Sequence, residues 1–262
     1  MPSSSPMGTY IYCIAHAKPF VGEQVPLHTA AIGGPEYPAR ILSSGDLAAV
    51  VSDVPARRMD VNRGPLMAHE AVVIEAMERG EVIPLSFGTI AKNDEAVVEQ
   101  LLQAASDDLH QQLKAIEGCI ELDLKVLWSR ERLFEEIVAE NERIRTLRDT
   151  LAGASVNEQI ELGQLTSEMM ASKSDQEVQA MLDELEPLTV EVRLNRLLTD
   201  MMVLNAAFLV EKTRLEAFDK QVSDLTATEE GRLIFRYAGP VPPYHFVDVS
   251  VSWEDAADGF VE

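Results

Sequence analysis

Cysteine, tryptophan and histidine are scarce in this chain of 262 residues, with two, two and five copies respectively. Cys13 and Cys119 stand far apart and form no CxxC pair, so neither a structural zinc site nor a disulfide framework is written here; two free buried thiols are expected. The histidines His16, His28, His69, His110 and His245 are scattered. His69-Glu70 has no second histidine at the spacing of a zinc hydrolase, and His69 reads as a hydrogen-bonded core histidine. Glycine-rich phosphate loops and the G-x-S-x-G elbow are also absent. Basic charge is in deficit, with 22 Lys+Arg against 44 Asp+Glu, a formal net charge of −22. Such a surface repels nucleic-acid phosphate and anionic membranes. Aromatic residues make up 6% of the chain and are not interleaved with basic ones, which argues against single-stranded nucleic acid. Chance pairs are expected among so many carboxylates, and Asp107-Asp108 and Glu135-Glu136 read as solvated helix faces. The longest apolar run, Met201–Val210, is broken by Asn205 and is too short to span a bilayer. The start, MPSSSPMGTY, lacks the basic head and apolar stretch of a secretory signal, so a cytoplasmic location is expected. No catalytic, cofactor-binding or metal-ligating residue is identified.

What is present is an alternation of strand and helix patterns. The apolar stretch Val82–Thr89 (VIPLSFGT), between Gly80 and two helical patterns, reads as a buried strand with helices on its sheet. Pro84 cannot donate to a ladder, which predicts a sheet edge or a bulge there. Before it, Thr9–Ala15 reads as a strand and residues 16–38, holding four prolines, as a long irregular crossing. Residues 39–43 and 47–53 flank Ser44-Gly45-Asp46 as a hairpin. A helix from about Pro65 stops at Gly80, with Leu66, Val73, Ala76 and Met77 on one face. A second helix, capped by Asn93 or Asp94, carries Val98, Leu101, Leu102, Ala105, Leu109, Leu113 and Ile116 and ends at Gly118. Ile120, Leu122, Leu124, Val126 and Trp128 alternate with polar residues as a half-buried antiparallel strand.

Downstream, residues 131–151 read as one long helix, and Ser155-Val156-Asn157-Glu158 has the form of a capping box opening a second. Ser174-Asp175 is a possible restart. The two form a helical hairpin. Met202–Val210 reads as a central strand, residues 213–225 as a helix capped by Thr213, and Arg232–Tyr237 as a strand. The three prolines of Gly239–Tyr244 make a stiff extended bend, and Val247, Val249, Val251 and Trp253 share a face of a last strand. The expected fold class is α+β in two domains. Residues 1–118 form a ferredoxin-like (split βαβ) sandwich with strand 119–129 at the boundary. Residues 119–253 form an α+β domain with an inserted helical hairpin, and 254–262 an acidic tail.

Three segments in this order carry a resemblance: EVIPLSFGTI at Glu81–Ile90, VLNAAFLVEK at Val203–Lys212, and GPVPPYHFVDV at Gly239–Val249. Together they resemble the GvpF/GvpL family of gas vesicle proteins, in which a "PLRFGT" strand, an "NAAFLV" strand and a late "GPWPPYSFV" recur. Ser86 stands where that family usually has Arg, and Val241 where Trp is common. The resemblance implies a minor structural or assembly component of gas vesicles, without catalytic activity or cofactor. It further implies binding to the hydrophobic major shell protein and other accessory proteins, and help with nucleation or against shell-protein aggregation. The F and L branches are not separated on these residues. Candidate protein-contact residues are Pro84, Phe87, Gly239, Pro240, Pro243, Tyr244 and Phe246. Two alternatives stay open: a small-molecule-binding or catalytic α+β protein, since this fold class hosts many functions, and an adaptor using its helical hairpin.

Overall fold

The computed structural model describes residues 7–20, 27, 29–55 and 62–249. The chain is α+β and divides into two compact units, residues 1–121 with 240–262, and residues 122–239.

The first unit is built on a sheet whose central strand β1, Met7–His16, is buried almost throughout. β2 (Arg40–Ser44) and β3 (Leu47–Pro55) form the expected hairpin, and Gly45 takes the left-handed φ of 62° that its tight turn requires. α1 (Arg63–Met77) begins with Asn62 accepting from the Gly64 amide and buries His69, Val72, Val73 and Ala76. Leu66, expected on that buried face, is instead exposed on the outer side. β4 (Val82–Pro84) and β5 (Ile90–Ala91) both pair antiparallel with β1, in the order β2-β3-β1-β4, so Pro84 does sit on an edge strand. Between β4 and β5 the stretch Ser86–Thr89 leaves the ladder as a turn, closed by the Thr89 amide on the Ser86 carbonyl. The second helix is less regular than its pattern predicts. A single turn α2 (Asp94–Ala96), capped by Asn93, widens into a π-helical stretch at Val97–Gln103 and resumes as α3 (Ser106–Ala115). The wider turns put Val97, rather than Val98, into the core.

The second unit holds β6 (Cys119–Trp128), β7 (Glu191–Leu194), β8 (Met202–Glu211) and β9 (Leu233–Val241), in the order β7-β8-β6-β9. Read in chain order, each sheet has its first strand between the fourth and the third, with the second outermost. This is the split βαβ arrangement, and it occurs in both units. β6 therefore serves the second sheet, whereas the sequence placed it at the boundary of the first. The fourth strand of the first sheet is the Pro84 strand itself.

The expected helix at 131–151 is two, α4 (Arg130–Glu140) and α5 (Glu142–Asp149), because Asn141 breaks the run and caps α5 through its side chain on the Ile144 amide. Conversely, α6 (Val156–Leu185) runs 30 residues without a restart at Ser174, and its Ser155–Glu158 capping box is formed. α7 (Leu215–Thr228) follows a 3₁₀ turn, with no side-chain cap from Thr213. β9 extends through Gly239 and Pro240, which the sequence assigned to a bend. The segment from Pro240 onward belongs to the first unit and not to the domain 119–253 expected for it. Residues 247–249 form no strand; Val251, Trp253 and the acidic tail lie outside the described residues.

Replacing Ser155 by Ala removes the side-chain acceptor of the α6 capping box. The second unit is expected to lose about 1 kcal/mol in urea denaturation, while Ser155→Asp, which can also cap, stays within a few tenths of wild type.

Candidate functional site

The first unit buries a chain of polar side chains inside an aromatic cluster. Tyr10 and Tyr12, two apart on β1, point to the same side of the sheet, where α1 lies, and their ring centroids are 4.8 Å apart. His69, 1% exposed on α1, stacks on Tyr12 and meets Tyr10 and Phe87 edge-on. Both its ring nitrogens are used: Nδ1 lies 2.9 Å from the Tyr10 hydroxyl and Nε2 lies 3.1 Å from the Tyr244 hydroxyl. Tyr10 accepts from the Gly88 amide at 3.0 Å, and Tyr244 is hydrogen-bonded to Glu70. One proton arrangement satisfies every group. Gly88 N–H donates to Tyr10, Tyr10 to His69 Nδ1, His69 Nε2–H to Tyr244, and Tyr244 to the Glu70 carboxylate. Gly88 has φ 92°, the left-handed conformation that turns its amide onto Tyr10. Beside this chain, the Tyr12 hydroxyl is 2.9 Å from Ser52 Oγ and accepts from the Ile32 amide.

The electrostatics follow from burial. Desolvation lowers the His69 pKa to about 4, with a carbonyl contact from Leu85 opposing, so the ring is neutral at pH 7. Burial raises Glu70, with the Tyr244 hydroxyl opposing, and pushes up Tyr10 and Tyr244 as well. These groups are arranged to hold a structure in place: each proton already has an acceptor.

Tyr244 belongs to a returning segment, residues 240–249, that is fastened to the first unit at two further points. The buried carboxylate of Glu121, 1% exposed, accepts from the backbone amide of His245 at 2.9 Å and lies 2.6 Å from its Nδ1. Gln112 exchanges two hydrogen bonds with the Asp248 backbone, at 2.8 and 2.9 Å.

Of the residues expected to contact a partner, Pro84, Pro243 and Phe246 are buried and shape the core rather than the surface. A proline in an edge strand and a proline-stiffened turn both direct their rings inward here. Phe87 and Tyr244 are half-buried and stand together against His69, while Gly239 and Pro240 are exposed on β9. Sequence reasoning missed Tyr10 and Tyr12 as partners of His69 and Glu70 as the partner of Tyr244; the i, i+2 spacing of the tyrosines on a strand was the available signal. It also missed the outer stripe of α1. Leu66, Met67 and Ile74 are 39%, 58% and 39% exposed, and Glu70, with Tyr244 on it, sits one turn from both Leu66 and Ile74.

The comparisons with known proteins agree with one another. The model of the family described as "Gas vesicle synthesis protein GvpL/GvpF" matches residues 8–248. A gas vesicle protein F from Streptomyces sp. is 29% identical, covering 92% of this chain and all of its own. One from Nostoc sp. is 32% identical over 72% of this chain and 79% of its own. Among solved structures, the crystal structure of the gas vesicle protein GvpF from Anabaena matches with a TM-score of 0.79 at 28% identity, covering 93% of this chain and 99% of that one. That of GvpF from Microcystis aeruginosa matches with a TM-score of 0.75 at 25% identity, covering 92% and 99%.

The neutral imidazole gives a signed pH dependence. An unfolded histidine titrates near pH 6.5, so between about pH 6.5 and 4 the unfolded chain binds the extra proton, and stability falls as pH falls. The loss attributable to His69 is about 3 kcal/mol across that window. Glu70, with its raised pKa, acts in the opposite sense. Urea midpoints from pH 7 to 5 are therefore expected to drop in wild type and to slope less in His69→Gln.

Proposed function

The chain belongs to the GvpL/GvpF family of gas vesicle synthesis proteins, and from that premise we propose that it is an assembly component that binds the apolar shell protein of gas vesicles before that protein packs into the wall. The supporting observation is the exposed apolar stripe of α1, Leu66, Met67 and Ile74, on a chain carrying a net charge of −22. A shell subunit waiting to assemble exposes apolar surface and is prone to aggregate. A partner that covers that surface with a few apolar side chains, and carries excess charge of one sign elsewhere, keeps the complex dispersed.

In this reading α1 presents the contact stripe, and the half-buried Phe87 and Tyr244 border it. The His69 hydrogen-bond chain keeps Tyr244 and the Ser86–Thr89 turn in register with the helix. Gly239 and Pro240 are a separate exposed element available to other accessory proteins. No bond is made or broken. Among the described residues no helix is long and apolar enough to cross a membrane.

The test is turbidity of the shell protein diluted from denaturant with and without this chain. Suppression of turbidity is expected at near-stoichiometric ratios. Met67→Asp, a surface change that leaves folding intact, is expected to weaken binding about tenfold. Unchanged turbidity with wild-type protein, or full protection by Met67→Asp, would sink the assignment of α1.

A further inference from the structure

β7 is the outermost strand of the second sheet, paired on one side with β8. Val192 stands opposite Phe208, whose ring packs on Phe218 of α7, so Val192 and Leu194 line the helix-bearing face and Glu191 and Arg193 the other. The Asn195 amide donates to the Asn205 carbonyl, so the odd-numbered positions at the far end of the strand are bonded to β8, while at its start the Val190 amide also turns inward, onto the Leu209 carbonyl. By the alternation of an antiparallel ladder, the backbone groups of Val192 and Leu194 face outward. Val190 and Leu194 are 54% and 59% exposed, and the apolar strip continues through Leu197 and Leu198, 44% and 67% exposed.

Natural sheet edges are usually blunted by lysine, proline, a bulge or a covering loop. β7 carries neither lysine nor proline within Glu191–Leu194. It is also charge-balanced, one Glu and one Arg, in a chain whose net charge of −22 sets copies repelling one another elsewhere.

We infer that the outer edge of β7 is a self-pairing surface whose partner is a second copy of this chain. Antiparallel pairing about a two-fold axis at Val192 sets Val192 against the second copy's Val192 and Glu191 against its Arg193. The Glu191–Arg193 contact occurs twice and the Val192–Val192 contact lies on the axis, as an isologous interface requires. The neighbouring registers fail. A two-fold axis at Arg193 opposes guanidinium to guanidinium, and one at Glu191 opposes carboxylate to carboxylate. Glu191 and Arg193 already pair within the strand at 2.8 Å, with side chains 47% and 51% exposed, so pairing of two copies redirects an existing attraction across the interface. So short an edge buries less than a standard interface, and the dimer is weak. This inference is independent of shell-protein binding.

Sedimentation velocity of the full chain over about 10 to 500 µM tests it, with a concentration-dependent dimer expected. Glu191→Arg and Arg193→Glu each place like charges opposite one another twice, and each alone is expected to reduce association at least about tenfold. An equimolar mixture of the two restores opposite charges at every position, and native mass spectrometry is expected to show the heterodimer in excess of either homodimer. Independently, Val192→Cys in a Cys119→Ser background is expected to give a covalent dimer on mild oxidation, since directly opposed Cα atoms near 5.5 Å suit a disulfide. A wild-type monomer throughout the range overturns the inference. So does self-association that neither charge variant alters, or failure of the mixture to recover it.

Discussion

One buried imidazole ties the first unit together. His69 stands on α1, its Nδ1 reaches the tyrosine of the central strand, and its Nε2 reaches the tyrosine of a segment that returns from the far end of the chain. A buried polar ring left with an unpaired nitrogen would carry a desolvation penalty of about 1–3 kcal/mol, so the helix, the strand and the returning segment are each held where they satisfy it. The turn at Ser86–Thr89 joins through Gly88, whose amide needs the same tyrosine oxygen. Four pieces of backbone distant in sequence thus depend on one side chain being neutral, and burial is what keeps it so.

That dependence explains why the motif segments looked like functional residues on the page yet lie partly in the core. Pro84, Pro243 and Phe246 are buried, on the edge strand that pairs with β1 and in the turn that carries Tyr244 to His69. A segment can be distinctive because its backbone must follow an unusual path, and prolines and a left-handed glycine are the residues that permit such a path. The surface that remains exposed beside these segments, the α1 stripe, has no distinctive composition at all. Leucine, methionine and isoleucine on a helix read as core, and the sequence-based reading put Leu66 inward for that reason.

The periodic elements were legible, and the long-range ones were not. β1, β6 and β8 follow from alternation or from unbroken apolar runs, and the capping box at Ser155 and the left-handed Gly118 mark their helix ends. Which sheet β6 joins is a pairing decision that its own residues do not encode, and it went to the second unit. β7 was missed because Glu-Val-Arg-Leu is too short and too polar to register as a strand; it is held by β8 rather than by its own pattern. Asn141 was hidden inside a run whose Ile137 and Ile144 keep helical spacing on both sides of the break. In the opposite direction, Ser174-Asp175 looks like a cap and is not one, because packing carries α6 straight through it.

The recurrence of one strand order in two units constrains where partners can act. In a split βαβ sheet the second and fourth strands are edges, so the described residues show four of them. They are not equivalent. The β4–β5 edge is interrupted by its own turn and by a proline, and β9 ends in Gly239-Pro240, both features that spoil a continuous ladder. β2 is a hairpin partner that also contacts the π-helical stretch after α2. β7 alone among them offers outward backbone groups, balanced charge and exposed apolar side chains in one short strand. The apolar stripe of α1 sits on a helix, where side chains rather than backbone must supply the affinity. A chain built from two similar halves can in this way separate two modes of contact, with a helix face in the first unit for a greasy partner and a strand edge in the second for its own kind.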